Sequence, residues 1–253
     1  MRDMMKTLLI VLLLAAYPLS GLGKETIDPV GTGSTTAGPG DDDLFMFNDI
    51  EEFIVSDPLE PINRGIFWFN DKLYFYLLKP VARGYRRVVP ELMRVSVQNF
   101  FSNLATPVRF INSGLQFRFR DAGNELTRFA VNTTLGIGGF FDPAKEHFSI
   151  RMKDEDTGQT LGHYGFGPGI YLVLPVLGPS SFRDGIGLLA DSRMDLVYYA
   201  WEDQDYIGAK VVDAINELSL DKDTYEGIKR DALDPYLFVR DAYIQYRQNK
   251  IKN

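Results

Sequence analysis

Asp57-Pro58-Leu59-Glu60-Pro61-Ile62-Asn63-Arg64-Gly65-Ile66-Phe67-Trp68-Phe69-Asn70-Asp71-Lys72-Leu73-Tyr74-Phe75-Tyr76-Leu77-Leu78 is the stretch that decides the fold. It opens as a helix should: Asp57 as N-cap, Pro58 at the first helical position and Glu60 three residues after the cap. Leu59, Ile62, Ile66, Phe69, Leu73, Tyr76 and Leu77 then recur on one face. The other side carries only a thin polar line of Glu60, Arg64 and Asp71, flanked by Phe67, Trp68, Tyr74, Phe75 and Leu78. A helix greasy nearly all round is either central in a core or in contact with lipid.

The same helical period continues outward from this stretch. It predicts helices over Glu91–Leu104, from Pro107 through Leu115, from a cap at Asp121 through Thr133, over Asp203–Leu218, and from Asp234-Pro235 toward Tyr246. Gly136-Ile137-Gly138-Gly139-Phe140-Phe141 stops the third of these and Asp142-Pro143 turns the chain. Residues 143–156 are polar and suggest an exposed loop or hairpin, and the Gly- and Pro-rich run 158–187 suggests a short extended segment around Tyr171–Leu174.

Upstream, Arg2 and Lys6 precede an uncharged run over Thr7–Ala16, with Gly21-Leu22-Gly23 as a small-x-small site. Residues 1–23 therefore read as a cleavable export signal rather than an anchor, since the run falls short of the ~20 residues of a membrane span. Residues 24–43 are rich in Gly, Ser and Thr and read as a flexible linker. One helical domain is expected over 44–253.

The 253 residues are 45% hydrophobic and 24% charged with a formal charge of −7, which disfavours a nucleic-acid binder. There are no cysteines and two histidines. Thiolate metal sites, disulfides and a thioether-linked lipid are thereby excluded at the level of sequence, a multi-histidine metal site is improbable, and no cofactor is called for. The expectation from signal and composition is an exported protein that is not a lipoprotein.

Charge is unevenly spread. Lys79, Arg83, Arg86, Arg87, Arg94, Arg109, Arg118 and Arg120 face Glu91 alone over 79–120, interleaved with phenylalanines. Arg83, Arg86, Arg87 and Arg94 are candidates to meet lipid phosphates, because the guanidinium fork matches phosphate oxygens. The competing reading is a solvated basic face paired with acidic residues elsewhere.

Four ordered blocks are recognisable. Asp57–Arg64 with Phe67–Asn70, then Arg128–Asp142, then Thr160–Gly165 with Leu174-Pro175 and Arg183-Asp184, then Asp234-Pro235-Tyr236 with Arg240–Tyr243, resemble the MlaA (VacJ) family over about residues 55–247. The resemblance implies a mainly α, ring-like bundle of amphipathic helices lying in one membrane leaflet around a central channel. It implies removal of misplaced phospholipids from the outer leaflet of a Gram-negative outer membrane, beside a trimeric porin, and delivery to an MlaC-like periplasmic lipid carrier. No covalent step is involved.

Residues expected to line or gate such a channel are Phe69, Asn70, Phe129, Asn132, Gly136, Gly138, Gly139, Phe140 and Phe141, beside a mobile loop over 141–156. For each asparagine the alternative is a buried cap on a neighbouring helix, and for the glycines a plain helix C-cap. A soluble periplasmic lipid carrier is the first rival. A serine lipid hydrolase using Ser180 or Ser181, His163 and Asp184 is the weaker one, because no Gly-x-Ser-x-Gly elbow is present.

Overall fold

The computed structural model describes residues 57–200, 203–221 and 223–252. The expected signal over 1–23, the linker over 24–43 and the first residues of the domain lie outside them. Helix α1 (Glu60–Leu73), a π-helical turn (Tyr74–Leu78) and α2 (Lys79–Val88) follow one another without a break. Pro80 has no N–H to offer the preceding turn, and the ladder widens there, with Lys79 N–H donating to the Tyr74 carbonyl. Val89 is extended, as the residue before Pro90 prefers.

Next come α3 (Glu91–Leu104), α4 (Thr106–Leu115) and α5 (Phe119–Thr134). Two expected caps are displaced. Leu59, not Asp57, is the first N-cap, and Asp121 lies inside the first turn of α5, where its charge meets the positive helix end. A second set follows: α6 (Pro143–Glu146), α7 (Thr157–His163), strands β1 (Tyr171–Leu174) and β2 (Gly178–Ser181), α8 (Phe182–Met194) and α9 (Leu196–Ala200). The chain closes with α10 (Asp203–Leu220), α11 (Thr224–Asp231) and α12 (Pro235–Lys252).

The hairpin is β1–β2, paired antiparallel from Tyr171↔Ser181 to Leu174↔Gly178, and not residues 143–156. The glycine-rich run also contains two helices that composition hides. Asp156 caps α7 by accepting from Gln159 N–H at 2.8 Å, and Ser181 caps α8 by accepting from Asp184 N–H at 3.1 Å. Their glycines are crossing points rather than breakers: a Cβ on Gly187 would stand 2.5 Å from the Gly158 nitrogen.

Followed from neighbour to neighbour, the packing closes on itself. Helix α1 meets β1, β2 meets α8, α8 crosses α7, α7 meets α4, α4 meets α3, α3 meets α10, and α10 returns to α2. The result is a mainly α, ring-like bundle, and among the described residues no helix is long and apolar enough to cross a membrane.

Its burial is inverted. Among the described residues, buried polar and charged side chains outnumber buried hydrophobic ones, while large hydrophobic side chains are exposed along most helices. On α1 the residues turned inward are Asn63 and Asp71, whereas Ile62, Trp68 and Phe69, and Tyr76 and Leu77 in the π-helical turn, are exposed. Asn63 donates to the Tyr171 carbonyl and accepts from Val173 N–H at 2.9 Å. Asn70, two turns on, donates to the Leu174 carbonyl at 3.0 Å and accepts from Val176 N–H at 2.6 Å. These two amides stitch α1 to the hairpin, and Asp57 accepts from both Asn63 and Tyr236.

Across α4 and α5, Arg109 Nε donates to Glu125 Oε2 at 2.7 Å, and Glu125 is fully buried. Between α7 and α8, Asp191 Oδ1 accepts from Thr157 Oγ1 at 2.6 Å, Thr157 N–H at 3.1 Å and Asn112 Nδ2 at 3.2 Å. Burial pushes Asp191 up to about 6 and the nearby Asp156 charge adds to that, against the bonds from Thr157 and Asn112 that lower it.

Breaking a buried pair strands the remaining charge, whereas replacing both partners need not. Glu125→Leu alone is expected to cost about 3–5 kcal/mol, and Arg109→Met with Glu125→Leu distinctly less, read as melting temperatures in detergent. Asp191 behaves oppositely to a paired acid. With its native value raised, folding takes up a proton between its unfolded value near 3.8 and about 6, so its burden is full above pH 6 and fades as pH falls. Asp191→Asn, which keeps an acceptor at Oδ1, is expected to raise the melting temperature at pH 7.5, and the gain should shrink toward pH 5.

Candidate functional site

The segment after α5 is built from three glycines with different duties. Gly136 is buried, and a Cβ there would lie 2.4 Å from the Asn132 carbonyl oxygen and 2.5 Å from that of Phe141. Gly139 has φ of +95° and would drive a Cβ to 2.7 Å from the Asn103 side chain. Gly138 has φ of +71° with open space around it. Backbone bonds from Gly138 to the Thr133 carbonyl and from Gly139 to that of Asn132, both 2.9 Å, fold the turn against the end of α5.

This turn presents Phe140 and Phe141 outward, both exposed, and Phe140 stacks on Phe100 of α3 at 4.9 Å and 14°. Phe129 is half-buried on α5 and Phe69 is exposed on α1, so the structure does not join Phe69 to the aromatic cluster of the turn.

Asn132 donates to Asp142 Oδ1 at 2.9 Å and accepts from Ala144 N–H at 3.1 Å. Arg128 donates from Nη2 to Asp142 Oδ2 at 2.8 Å and from Nη1 to the Ile150 carbonyl. Burial alone would raise Asp142, yet the bonds from Arg128 and Asn132 prevail and hold it below its usual value. The segment 141–156, expected to be a mobile loop, is thus strapped down. Lys153 N–H donates to Glu125 at 2.8 Å, and Glu155 is buried with Arg118 at 2.8 Å and Gln116 at 2.9 Å.

Between α3, α4 and α5, Asn99, Ser102, Asn103, Thr106, Arg109, Arg128, Asn132 and Asp142 surround a small polar cleft with room for about one water. Asn132 therefore both caps its neighbour and borders this polar space. Asn70 is half-buried and spent on the hairpin, where it caps no helix.

The arginine set divides. Arg94 is a correction: it is 5% exposed and donates to the Val89 and Ser219 carbonyls, so it ties α3 to α10 instead of facing a headgroup. Arg83 stands 4.0 Å from Asp223, while Arg86 and Arg87 are exposed in the last turn of α2. Sequence reasoning missed the buried partners Arg109 and Glu125 and the half-buried Asp191 and Arg247. Arg247 reaches Asp156 at 2.5 Å and Asp184 at 2.9 Å. The residues of the hydrolase rival are committed elsewhere: Ser181 and Asp184 cap and clamp α8, and the exposed His163 meets Tyr164 edge-on.

These observations define a class first: a peripheral, ring-like helical bundle, polar within and apolar without. The chain belongs to the MlaA family, whose profile, described as MlaA lipoprotein, matches residues 55–250. It is 37% identical over 196 residues to the intermembrane phospholipid transport system lipoprotein MlaA of Escherichia coli K12, covering 75% of this chain and 76% of that protein. The protein of the same name from Haemophilus influenzae is 31% identical over 201 residues, 78% of this chain and 80% of its own length. A solved structure described as the structural basis for maintenance of bacterial outer membrane lipid asymmetry matches with TM-score 0.69 and 36% identity, over 78% of this chain and 99% of that one.

One expectation is overturned by these relatives. The sequence suggested a protein that is not a lipoprotein, whereas the family and its named members are lipoproteins. A cysteine count tests one attachment chemistry in the sequence as written and does not outweigh the class of the family. Association with the outer membrane fits.

The glycine turn yields a graded expectation. Gly136→Ala collides with two carbonyl oxygens and should cost about 1–3 kcal/mol. Gly138→Ala, which meets only its backbone conformation, should cost about 1 kcal/mol. Chemical or thermal unfolding of the purified variants ranks the two.

Proposed function

We propose that this protein removes misplaced phospholipids from the outer leaflet of an outer membrane and passes them toward the periplasm as part of an intermembrane transport system. The observation that carries this reading is the inverted burial: ion pairs and amides inside, exposed Trp68, Phe69, Phe110, Phe117, Phe119, Phe140 and Phe141 outside. Water would expel such an exterior, whereas acyl chains accept it and offer no competing partner to the polar interior. The names of the relatives point the same way.

Under this reading the ring encloses a wet passage for the headgroup while the tails follow its apolar side. Phe69, Phe129, Phe140 and Phe141 meet acyl chains, Gly136, Gly138 and Gly139 shape the turn beside the passage, and Arg83, Arg86 and Arg87 lie at headgroup level. A phospholipid leaving a leaflet cannot cross water with its tails bare, so an MlaC-like soluble carrier must receive it. A trimeric porin is the membrane partner the family resemblance implies. Crosslinking in intact cells followed by purification tests both partners.

The test of the transport reading is complementation. Expressed in an E. coli strain lacking its own relative, the protein should lower surface-exposed phospholipid, measured with a membrane-impermeant amine reagent, and restore resistance to detergent with EDTA. Unchanged lipid distribution despite a folded protein in the outer membrane fraction counts against it.

A further inference from the structure

The link between α4 and α5 holds oil and charge at the surface in a strained form. Phe117 takes the left-handed conformation, φ of +60°, which a bulky side chain avoids. Its ring is nonetheless 68% exposed and meets the exposed Phe119 edge-on at 6.1 Å. The link is tied down: Gln116 and Arg118 donate to Glu155, and Tyr164 Oη donates to the Leu115 carbonyl. Leu115 and Tyr164 are exposed as well, so the result is a fixed apolar patch. The bonds to Glu155 set residues 151–155 beside it. Arg120, Arg151 and Lys153 are exposed there, and among the described residues none of the three pairs with a carboxylate.

The chain itself carries a stretch of matching chemistry. Residues 41–56 contain Asp41, Asp42, Asp43, Asp49, Glu51 and Glu52 without a Lys or Arg, and Leu44, Phe45, Met46 and Phe47 stand between the acids. This stretch enters the fold at Asp57, which accepts from Tyr236 of α12 and stands 3.8 Å from Arg240. Helix α12 leads from there to the patch: fourteen residues after Tyr236, Lys250 pairs with Asp154 at 3.1 Å. That distance along the helix is about 21 Å. The sixteen residues of 41–56 reach about 50 Å when extended, more than enough to return along α12. A tether this short keeps the stretch at high effective concentration near the patch, so individually weak contacts suffice.

We infer that residues 41–47 of this chain dock on the patch of Phe117, Phe119, Arg120, Arg151 and Lys153, with Phe45 and Phe47 against the two rings and Asp41–Asp43 against the cations. Exposed ion pairs are worth little one by one, so the rings supply the hold and the charges fix the register. The contact covers the surface that the strained Phe117 presents. It goes beyond the transport reading and does not depend on it, because Trp68, Phe69, Phe110, Phe140 and Phe141 remain to meet acyl chains.

The chain has no cysteine, so a pair can be introduced without background. Asn48→Cys with Gly123→Cys, which stands in open space one turn after Phe119, is joined by a short bismaleimide in the purified full chain in detergent. The pair should link within one molecule. Arg120→Glu with Arg151→Glu should lower the yield about fivefold at unchanged melting temperature. Asp42→Lys with Asp43→Lys on that background should restore it. Phe45→Ser with Phe47→Ser, which leaves the described helices untouched, should also lower it. A folded protein that does not link, or a yield that neither the charge reversal nor the Phe substitutions move, overturns the inference. Linking only between molecules assigns the patch to a second copy and overturns it as well. So does a Gly123→Cys shielded from a water-soluble maleimide in outer membranes yet never linked to residue 48, since lipid or another protein would then be the cover. None of these outcomes touches the transport reading, which the complementation assay decides separately.

Discussion

Glu125 cannot stand charged in this interior unless both of its oxygens are answered, and the surrounding structure is arranged to answer them. One takes Arg109 Nε from α4 and the other takes the Lys153 N–H from the segment after α6. Removing a carboxylate and a guanidinium from water costs several kcal/mol per ion, repaid only by good geometry and by partners for the remaining polar atoms. That requirement presses α4 against α5 and pulls the 150–155 segment onto them, because Arg128 and Arg118 hold it at Ile150 and Glu155.

The same logic is repeated around the ring. Thr160 donates to Asn112, and Gln116 reaches Thr160 and Glu155, so α4 and α7 are joined by amides and hydroxyls rather than by leucines. Arg247 of α12 sits between Asp156 and Asp184, the acids at the starts of α7 and α8, with Tyr243 donating to Asp184 at 2.5 Å. The apolar cluster, by contrast, is small: Tyr171, Val173 and Tyr236 with Ile66, Phe67, Leu237 and Tyr243 around them. With so little oil inside, directional bonds set which helix meets which, and the oily residues are released to the exterior.

Sequence alone disclosed much of the local order and little of this assembly. Helix α3 is legible to the residue, the Asp234-Pro235 start as a cap and Asp142-Pro143 as a turn, because those signals are contained within a few residues. The ordered blocks disclosed the family. The direction of the apolar stripe on α1 was not legible: periodicity says that Ile62, Phe69 and Tyr76 share a face, and only the partners of Asn63 and Asp71 say that this face is exposed. The partners that fix the direction, Tyr171 and Tyr225, lie more than a hundred residues away in the chain. Helices α7 and α8 were obscured because their glycines, which weaken helices by composition, serve here as the point where two backbones touch.

The basic segment shows why composition misled about its purpose. Its excess of arginine over lysine looked like a surface for phosphates, yet Arg94, Arg109 and Arg118 are turned inward onto carbonyls and carboxylates of other parts of the chain. A guanidinium is suited to that duty: it keeps its charge when buried and satisfies two or three acceptors in one plane, where an ammonium would shed its proton or leave acceptors unmet. The acidic partners of Arg109 and Arg118, Glu125 and Glu155, lie outside the segment, so a local charge count registered an excess that the folded ring partly cancels. Arg86 and Arg87, exposed at the end of α2 beside Val88, Leu92 and Met93, are where charge and oil meet at one boundary, as they would at the level of lipid headgroups.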